Sequence, residues 1–226
     1  MMKKRLWSRW ILALAVVWPF MAAAHDRVRE KENFDFDWKF ILNADDRANA
    51  GMQVSEAGWQ DVQLPHDWSI SQDFNPKLSG SNGHLPGGIG WYRKTFRVDK
   101  EDKGRRIAVL FDGIYSRSDV YVNGQHLGFR PYGFCYQEYD LTPYLNYGAE
   151  NVLAVRVNNP LEHDSVARWY TGAGIYRHAW LVKTAEVHVA SYGTYVTTPV
   201  VTAERAEVRV RTSVANEAER TKTLSV

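Results

Sequence analysis

Apolar and polar residues alternate with a period of two along most of the chain, which is the pattern of strands with one buried face. In residues 34–40, the aromatic residues Phe34, Phe36, Trp38 and Phe40 fall on one face and the charged residues on the other. Glycine, proline, asparagine and aspartate interrupt the alternation at short intervals, as turns between strands do. The predicted strands are 34–40, 92–98, 107–111, 119–122, 125–129, 152–157 and 178–183. Helical patterns are nearly absent, so the sequence predicts an all-β fold, an antiparallel jelly-roll sandwich.

Two irregular segments separate these strands. Residues 75–90 are rich in glycine and proline, which disfavour a strand, so they predict a long surface loop of the kind that often binds ligands. Residues 158–167 predict a second loop, which leads to Arg168. Asn123-Gly124, by contrast, predicts a tight hairpin turn, because both residues tolerate a positive φ.

Beyond residue 187 the pattern changes, and residues 195–200 and 206–214 predict strands of a second unit. About three strands cannot close a sandwich, so either they pack on the first domain or the sequence is cut inside a second domain, and we favour the cut. The predicted organisation is a signal segment at 1–24, a sandwich domain at 25–190 and an incomplete domain at 191–226.

The first 24 residues have the features of an export signal. Its basic head contains Lys3, Lys4, Arg5 and Arg9, and residues 11–21 form an apolar run. Ala22 and Ala24 match the small residues of a cleavage site, so we expect cleavage after Ala24 and a periplasmic or secreted protein. The apolar run is short for a bilayer span, and a membrane anchor is therefore the weaker alternative.

Charge and cysteine content exclude several classes of function. Four of the 28 basic residues and none of the 26 acidic residues lie in the predicted signal, so the rest of the chain carries a small net negative charge. Without a basic stripe, a nucleic-acid partner is not expected. Cys135 is the only cysteine, which excludes an internal disulfide and thiol-ligated metal sites. The seven histidines lack metal-ligand spacing, so no metal or cofactor is predicted.

The stretch from Arg168 to Trp180 concentrates the groups that could hold a polar, ring-shaped ligand. Arg168 offers a planar fork of donors, and Trp169 and Tyr170 offer flat faces for the C–H side of a sugar. Gly172 and Gly174 allow a sharp turn without a Cβ clash. The alternative is that both rings belong to the core. We predict Arg168 and Trp169 as substrate-binding residues.

Glycoside hydrolysis usually needs two facing carboxylates. The pairs closest in sequence are Asp35/Asp37, Asp45/Asp46, Glu138/Asp140 and Glu162/Asp164. We expect the first pair on the polar face of a strand and the others in solvated turns, so none is predicted to be catalytic. Neither His66-Asp67 with Ser69 nor His163-Asp164 with Ser165 has the nucleophile elbow of a serine hydrolase. The sequence therefore predicts no catalytic residue in this chain.

Six motifs occur in an order that resembles a known family. They are Leu64-Pro65-His66-Asp67-Trp68, Gly90-Trp91-Tyr92-Arg93-Lys94-Thr95-Phe96, Phe111-Asp112-Gly113-Ile114-Tyr115, Val120-Tyr121-Val122-Asn123-Gly124, Asp140-Leu141-Thr142 and Arg168-Trp169-Tyr170-Thr171-Gly172-Ala173-Gly174-Ile175-Tyr176-Arg177. Residues 34–190 resemble the N-terminal sugar-binding domain of family 2 glycoside hydrolases, in particular the bacterial β-galactosidase branch. From Ser191 the chain resembles the opening strands of that family's immunoglobulin-like second domain.

The resemblance implies a division of labour between domains. A jelly-roll domain and an immunoglobulin-like domain precede a (β/α)₈ barrel, whose two glutamates hydrolyse the glycoside with retention. The N-terminal domain packs on the barrel and contributes to the rim of the substrate pocket, where Arg168 and Trp169 would lie. The motifs at His66-Asp67, Asp112-Gly113 and Asp140 with Thr142 are interpreted as turn chemistry.

Three hypotheses follow. In the first, the chain is the N-terminal part of a β-galactosidase that acts on a β-galactoside, with a β-glucuronidase or β-mannosidase type of parent as the variant. In the second, it is a free-standing carbohydrate-binding module without hydrolase activity. In the third, it is an interaction domain that uses exposed aromatic residues at the edge of the sandwich.

Overall fold

A computed structural model describes residues 29–42, 44–160 and 169–223 of the 226-residue chain. The predicted signal at 1–24, the acidic pair Glu162/Asp164 and Arg168 lie outside the described residues. The strands that the described residues form are β1 Arg29–Asn33, β2 Trp38–Leu42, β3 Gln60–Val62, β4 Gly88–Arg97, β5 Arg106–Phe111, β6 Ser118–Val122, β7 Gln125–Arg130, β8 Gln137–Asp140, β9 Glu150–Asn159, β10 Ala179–Thr184, β11 Val187–Val201 and β12 Ala206–Asn216. Their helices are single turns of 3₁₀ helix at Arg47–Ala50, Ser69–Ser71, Gly80–Asn82, Lys100–Asp102 and Thr142–Tyr144.

Ten of these strands form two antiparallel sheets that face each other. The smaller sheet has the order β1-β10-β5-β8, and the larger has the order β3-β2-β4-β9-β6-β7. Apolar side chains from both sheets, including Trp38, Tyr92, Phe111 and Leu153, form one core between them. This arrangement confirms the predicted all-β sandwich, in which the two inner faces interdigitate.

The larger sheet is also covered on its outer face, by the segment 44–59. Trp91 and Ala154 on this face pack with Ala50 of the segment in a second, smaller core. Arg93, only 1% exposed, donates from Nη1 to the carbonyl of Asn49 at 2.6 Å, and its Nε pairs with Glu56 at 3.0 Å. The period-two pattern alone would place Trp91 and Arg93 in solvent, and the covering segment is the reason that both are buried.

Two details of the predicted first strand are wrong. Strand β2 begins only at Trp38, because Asp37 has a positive φ of 57° and ends the extended backbone before it. Asp35 does not lie on a solvated face. It is 3% exposed, accepts from the amide of Ala179 at 2.8 Å and bonds the Nδ1 atom of His178 at 2.7 Å. Its carboxylate therefore ties the turn before β2 to β10.

The predicted hairpin at Asn123-Gly124 is confirmed. Both residues have positive φ values, 50° and 84°, and they join β6 to β7. The Asn123 side chain adds three tertiary bonds, each of 2.8 Å. Its Nδ2 donates to the carbonyl of Tyr144 and to Oδ1 of Asn151, and its Oδ1 accepts from the amide of Val152. The turn is therefore fixed to the neighbouring strand β9 as well as to its own hairpin.

Strands β11 and β12 form a separate two-stranded antiparallel sheet, the β11–β12 ribbon. It begins at Val187, before the predicted start of the second unit at residue 191. Arg106 of the sandwich pairs with Glu217 at 3.3 Å, and the rings of Tyr136 and Tyr192 lie 4.5 Å apart, so the ribbon contacts the sandwich. Its identity as the start of an immunoglobulin-like domain stays a prediction.

Candidate functional site

The segment 169–178 precedes β10 and is held by backbone bonds on two sides. On one side the amides of His66 and Trp68 donate to the carbonyls of Ile175 and Ala173, at 2.8 and 3.2 Å. On the other, Gly174 and Tyr115 exchange a pair of backbone bonds of 2.8 and 2.9 Å. The segment predicted to carry the ligand site is therefore part of the framework, although it contains no strand.

Two glycines in this segment are required by their surroundings, as the sequence predicted. Gly172 and Gly174 have φ values of 74° and 112°, a region that residues with a Cβ seldom adopt. A Cβ on Gly174 would lie 2.2 Å from the hydroxyl of Tyr92, and one on Gly172 would lie 2.8 Å from Oδ2 of Asp67. The backbone of the segment thus approaches its neighbours more closely than any side chain would permit.

Asp67 is bonded to the segment through both of its carboxylate oxygens. Oδ1 accepts from the amide of Ala173 at 3.0 Å and from the amide of Ser69 at 2.9 Å. Oδ2 accepts from the hydroxyl of Tyr170 at 2.6 Å. Burial and then this carboxylate raise the pKa of the Tyr170 hydroxyl, so it remains a donor at neutral pH.

Trp169 and Tyr170 stand at the surface. Trp169 is 62% exposed and Tyr170 40% exposed, which excludes the alternative that both rings belong to the core. The flat face of an exposed indole beside a fixed turn is suited to the apolar side of a sugar ring. Of the two predicted site residues, Trp169 is described by the structure and Arg168 lies outside the described residues. The sugar-binding role of both stays a prediction.

Buried aromatic groups form the base of the segment. Nδ1 of His66 bonds the hydroxyl of Tyr92 at 2.8 Å, and the rings of Phe40 and Trp68 stack 5.5 Å apart. Burial raises the pKa of Tyr92 and lowers the pKa of His66, where the nearby Asp67 charge offsets only part of the effect. His66 is therefore neutral at neutral pH and acts here as a structural hydrogen-bonding group.

A neighbouring loop also contacts the segment. The hydroxyl of Thr171 donates to Oδ1 of Asn82 at 3.2 Å, and Nδ2 of Asn159 donates to the carbonyl of Gly172 at 3.1 Å. Asn82 belongs to the predicted surface loop 75–90, which ends where β4 begins at Gly88. The loop therefore contacts the segment two residues beyond Trp169.

The interpretation of His66-Asp67 as simple turn chemistry was incomplete. Asp67 does close a local turn through Ser69, but it also holds residues 103 and 106 positions away. Sequence reasoning missed this role because nothing in a single sequence shows which distant residue a carboxylate will meet. The one available signal was an acidic residue placed directly before Trp68, since tryptophan is highly buried on average.

The described acidic pairs are engaged in structural contacts. Asp45 pairs with Arg156 at 2.7 Å, Glu138 pairs with Arg106 at 2.9 Å, and Asp140 accepts from the hydroxyl of Thr142 at 2.6 Å. The expectation that Glu138/Asp140 lies in a turn was wrong, because both belong to β8, whose pairing with β5 fixes them.

Metal-binding clusters and membrane-spanning helices are both absent from the part of the chain that the structure describes. In it, no three or more His, Cys, Asp or Glu residues are grouped as a metal ion would require. None of its helices has the length and apolar character needed to cross a bilayer.

Comparison with known families gives one match that spans most of the sandwich. The family described as "Glycosyl hydrolases family 2, sugar binding domain" matches residues 32–185. This range contains every strand from β2 to β10 together with Asp67 and the segment 169–178.

Relatives and solved structures agree with this match. The chain is 46% identical over 206 residues to β-galactosidase BoGH2A of Bacteroides ovatus. The aligned region covers 88% of this chain and 23% of that protein. It is 36% identical over 184 residues to a putative β-glucuronidase of Formosa agariphila, covering 80% of this chain and 17% of that protein.

Among solved structures, a β-glycosidase from Bacteroides vulgatus superposes with a TM-score of 0.76 at 34% identity, over 84% of this chain and 25% of its own. A family 2 member from Bacteroides cellulosilyticus superposes with a TM-score of 0.73 at 42% identity, over 82% of this chain and 24% of its own. The chain thus spans a quarter or less of the length of these relatives.

Proposed function

Since the chain belongs to glycosyl hydrolase family 2 and contains its sugar binding domain, we propose that it is the N-terminal part of a retaining β-galactosidase. The relative that is 46% identical bears that name, which supports a β-galactoside as the substrate. A relative that is 36% identical is named a putative β-glucuronidase, and this supports the alternative of a glucuronide-cleaving parent.

The observation that carries the proposal is the exposed indole of Trp169 on a segment whose backbone is fixed on two sides. A rigid segment keeps an exposed ring in one orientation, and a preorganised ring loses little entropy when a sugar stacks on it. Trp169, with Arg168 beside it in sequence, would form part of the rim of the substrate pocket.

The bond-breaking carboxylates would belong to a catalytic domain that this chain does not include. The described acidic pairs support this division, because Asp45, Glu138 and Asp140 are engaged by Arg156, Arg106 and Thr142. A pair of glutamates on a barrel, as the family resemblance implies, would carry out the acid/base and nucleophile roles.

Packing of this domain on the catalytic domain requires an apolar surface, and the loop before β8 offers one together with the start of the ribbon. Tyr132, Phe134, Tyr136 and Tyr192, here called the aromatic patch, are each between 43% and 70% exposed. Phe134 also lies 6.5 Å, centroid to centroid, from Tyr176 of the segment 169–178. A contact there would place the catalytic domain next to the same segment that carries Trp169. Clustered exposed aromatics of this kind are typical of protein interfaces.

We also propose that the protein is exported to the periplasm or the exterior. The signal predicted at 1–24, with cleavage after Ala24, supports this location. A β-galactoside outside the cytoplasm would then be accessible to the enzyme.

A free-standing carbohydrate-binding module is the second candidate function. The exposure of Trp169 supports it as well, because an aromatic face binds sugars with or without an attached catalytic domain. The two candidates differ in where hydrolysis occurs and in what a Trp169 substitution changes.

The experiment compares the full gene product that contains this chain with the chain alone, on nitrophenyl β-galactoside and nitrophenyl β-glucuronide. We expect the full protein to hydrolyse the galactoside, and the chain alone to hydrolyse neither. In the full protein, Trp169→Ala should raise KM on the order of tenfold, the loss of one stacking contact. Phe36→Ala, at another exposed aromatic position, should leave KM unchanged.

Three results would contradict the proposal. Turnover by the chain alone would refute the division of labour. A full protein that binds galactosides without hydrolysing any glycoside would favour the binding module. A preference for the glucuronide would replace the galactosidase assignment with the glucuronidase one.

A further inference from the structure

We infer that Asp67 is the positioning residue of the substrate rim: its carboxylate fixes the turn 170–173 and thereby the orientation of Trp169. This inference rests on the proposed function, since it assigns a task to a residue beside the proposed rim. Asp67 itself need not touch the substrate. It would act through Tyr170 and Ala173.

The two carboxylate oxygens of Asp67 have different partners. Oδ1 of Asp67 accepts from Ser69, a bond to a residue two positions away that any turn aspartate makes. The same oxygen also accepts from the amide of Ala173, and Oδ2 accepts from the hydroxyl of Tyr170. A residue that served only its own turn would not have both oxygens engaged by a segment more than 100 positions away.

The contacts of Asp67 with Tyr170 and Ala173 enclose a tight turn. Asp67 bonds the side chain of Tyr170 and the backbone of Ala173, and Gly172 lies between them with a φ of 74°. Gly172 approaches Oδ2 so closely that a Cβ there would lie 2.8 Å from it. The turn therefore wraps around the carboxylate, and Trp169 is the residue directly before it.

The strength of these bonds depends on the charge of the acceptor. Hydrogen bonds to an ionised carboxylate are stronger than those between neutral groups. Tyr170 is only half-exposed, and the raised pKa of its hydroxyl keeps the proton on the tyrosine, where it can be donated to Asp67. Charge on Asp67 thus matters as well as its shape.

Asparagine at position 67 tests this point because it keeps the size of the side chain. Its carbonyl oxygen can still accept from Ser69 and Ala173, but its amide nitrogen faces the Tyr170 hydroxyl as a donor and cannot accept from it. Tyr170→Phe removes the same bond from the other side. If both act through one contact, the double variant should be no worse than Asp67→Asn alone.

We would measure KM and kcat of the full gene product on nitrophenyl β-galactoside for Asp67→Asn, Tyr170→Phe and the double variant. We expect Asp67→Asn to raise KM on the order of tenfold, as loss of a charged hydrogen bond implies, with kcat unchanged within about twofold. Asp140→Asn is the matched control, since Asp140 makes a local turn bond to Thr142 and lies outside the segment. Its KM should be unchanged.

Hydrogen exchange of the amides at 171–174 provides the second readout, independent of activity. Asp67→Asn should speed exchange in these amides on the order of tenfold, while exchange in β4 and β9 stays unchanged. Should Asp67→Asn fail to fold, Tyr170→Phe and Asp67→Glu decide the matter by the same measurements.

The outcomes separate the inference from the function. A wild-type protein that hydrolyses the galactoside, with KM and exchange unchanged in Asp67→Asn, overturns the inference and leaves the function intact. A wild-type protein without glycosidase activity overturns the function, and exchange at 171–174 alone then decides the inference. A fall in kcat with KM unchanged would also overturn it, because a rim residue acts on binding.

Discussion

Residues of the same type serve different purposes in this chain, and burial distinguishes them. Trp38, Trp68 and Trp91 are almost fully buried, whereas Trp169 is mostly exposed. The sequence places all four in similar company, next to aromatic or charged neighbours. Only the tertiary structure shows that three of them support the fold and that one is available to a ligand.

A pair of substitutions tests this distinction. Trp91→Ala should lower the free energy of unfolding by about 3–5 kcal/mol, because it leaves a cavity beneath the segment 44–59. Trp169→Ala should cost less than about 1 kcal/mol, because its ring contributes little to the packing. Urea denaturation of both variants measures the difference. Equal losses would show that Trp169 is a core residue.

At the scale of elements, the apolar strands in the interior of the sandwich were predicted and the charged strand at the edge of the smaller sheet was missed. Residues 107–111, 119–122 and 152–157 are rich in apolar residues and form β5, β6 and β9, which are buried on both faces. Strand β1 has the sequence REKEN and no apolar alternation, so its pairing with β10 could not be predicted. Its place in the sheet depends on a neighbour about 150 residues away, which local propensity does not describe.

The candidate site was predictable to a similar degree. The turn glycines of the segment 169–178 follow from local chemistry, and the sequence predicted them, whereas only the tertiary structure shows that Trp169 and Tyr170 are exposed. The roles of Asp67 and of the neutral His66 could not be predicted, because their hydrogen-bond partners are distant in sequence. Tertiary contacts therefore fix the segment, whereas the local sequence determines which side chains it presents.

Replacement of a glycine tests how closely this segment is held. Gly174→Ala should lower the free energy of unfolding by about 2–5 kcal/mol, since it combines a strained φ with a clash against Tyr92 and His66. Gly58 is the matched control, because its φ of 83° is also positive but a Cβ there would have no other atom within 4 Å. Gly58→Ala should cost only about 1–2 kcal/mol, the backbone term. Similar losses for the two variants in urea denaturation would mean that the segment can move aside.

At the scale of the whole molecule, the segment 44–59 covers the outer face of the larger sheet, while the aromatic patch and the β11–β12 ribbon are among the exposed apolar surfaces of the described residues. In the ribbon the adjacent residues Tyr195 and Val196 are both exposed. Neighbours along a strand point to opposite faces, so neither face of the ribbon is buried at that point. The sequence predicted the sandwich but not the segment 44–59, which covers the outer face of its larger sheet.

A charge in the aromatic patch tests whether a partner domain covers it. In the full gene product, Phe134→Asp should weaken the packing of the sandwich on the catalytic domain by about 2–4 kcal/mol, as loss of an interface hot spot does. The expected results are a lower Tm and faster proteolysis between the two parts. Phe36→Asp, at an exposed aromatic outside the patch, is the control and should change neither. If Phe134→Asp behaves as the control does, the patch faces solvent in the full protein.

The position of the β11–β12 ribbon along the chain has a consequence for synthesis. Every strand of the sandwich precedes Val187, so a ribosome delivers the complete sandwich before the ribbon emerges. At that stage all ten strands of the sandwich are present, whereas the ribbon, once it emerges, has open edges and exposed valines, which are prone to pair with other chains. For as long as these edges and valines remain uncovered, the ribbon would be a site at which aggregation can begin.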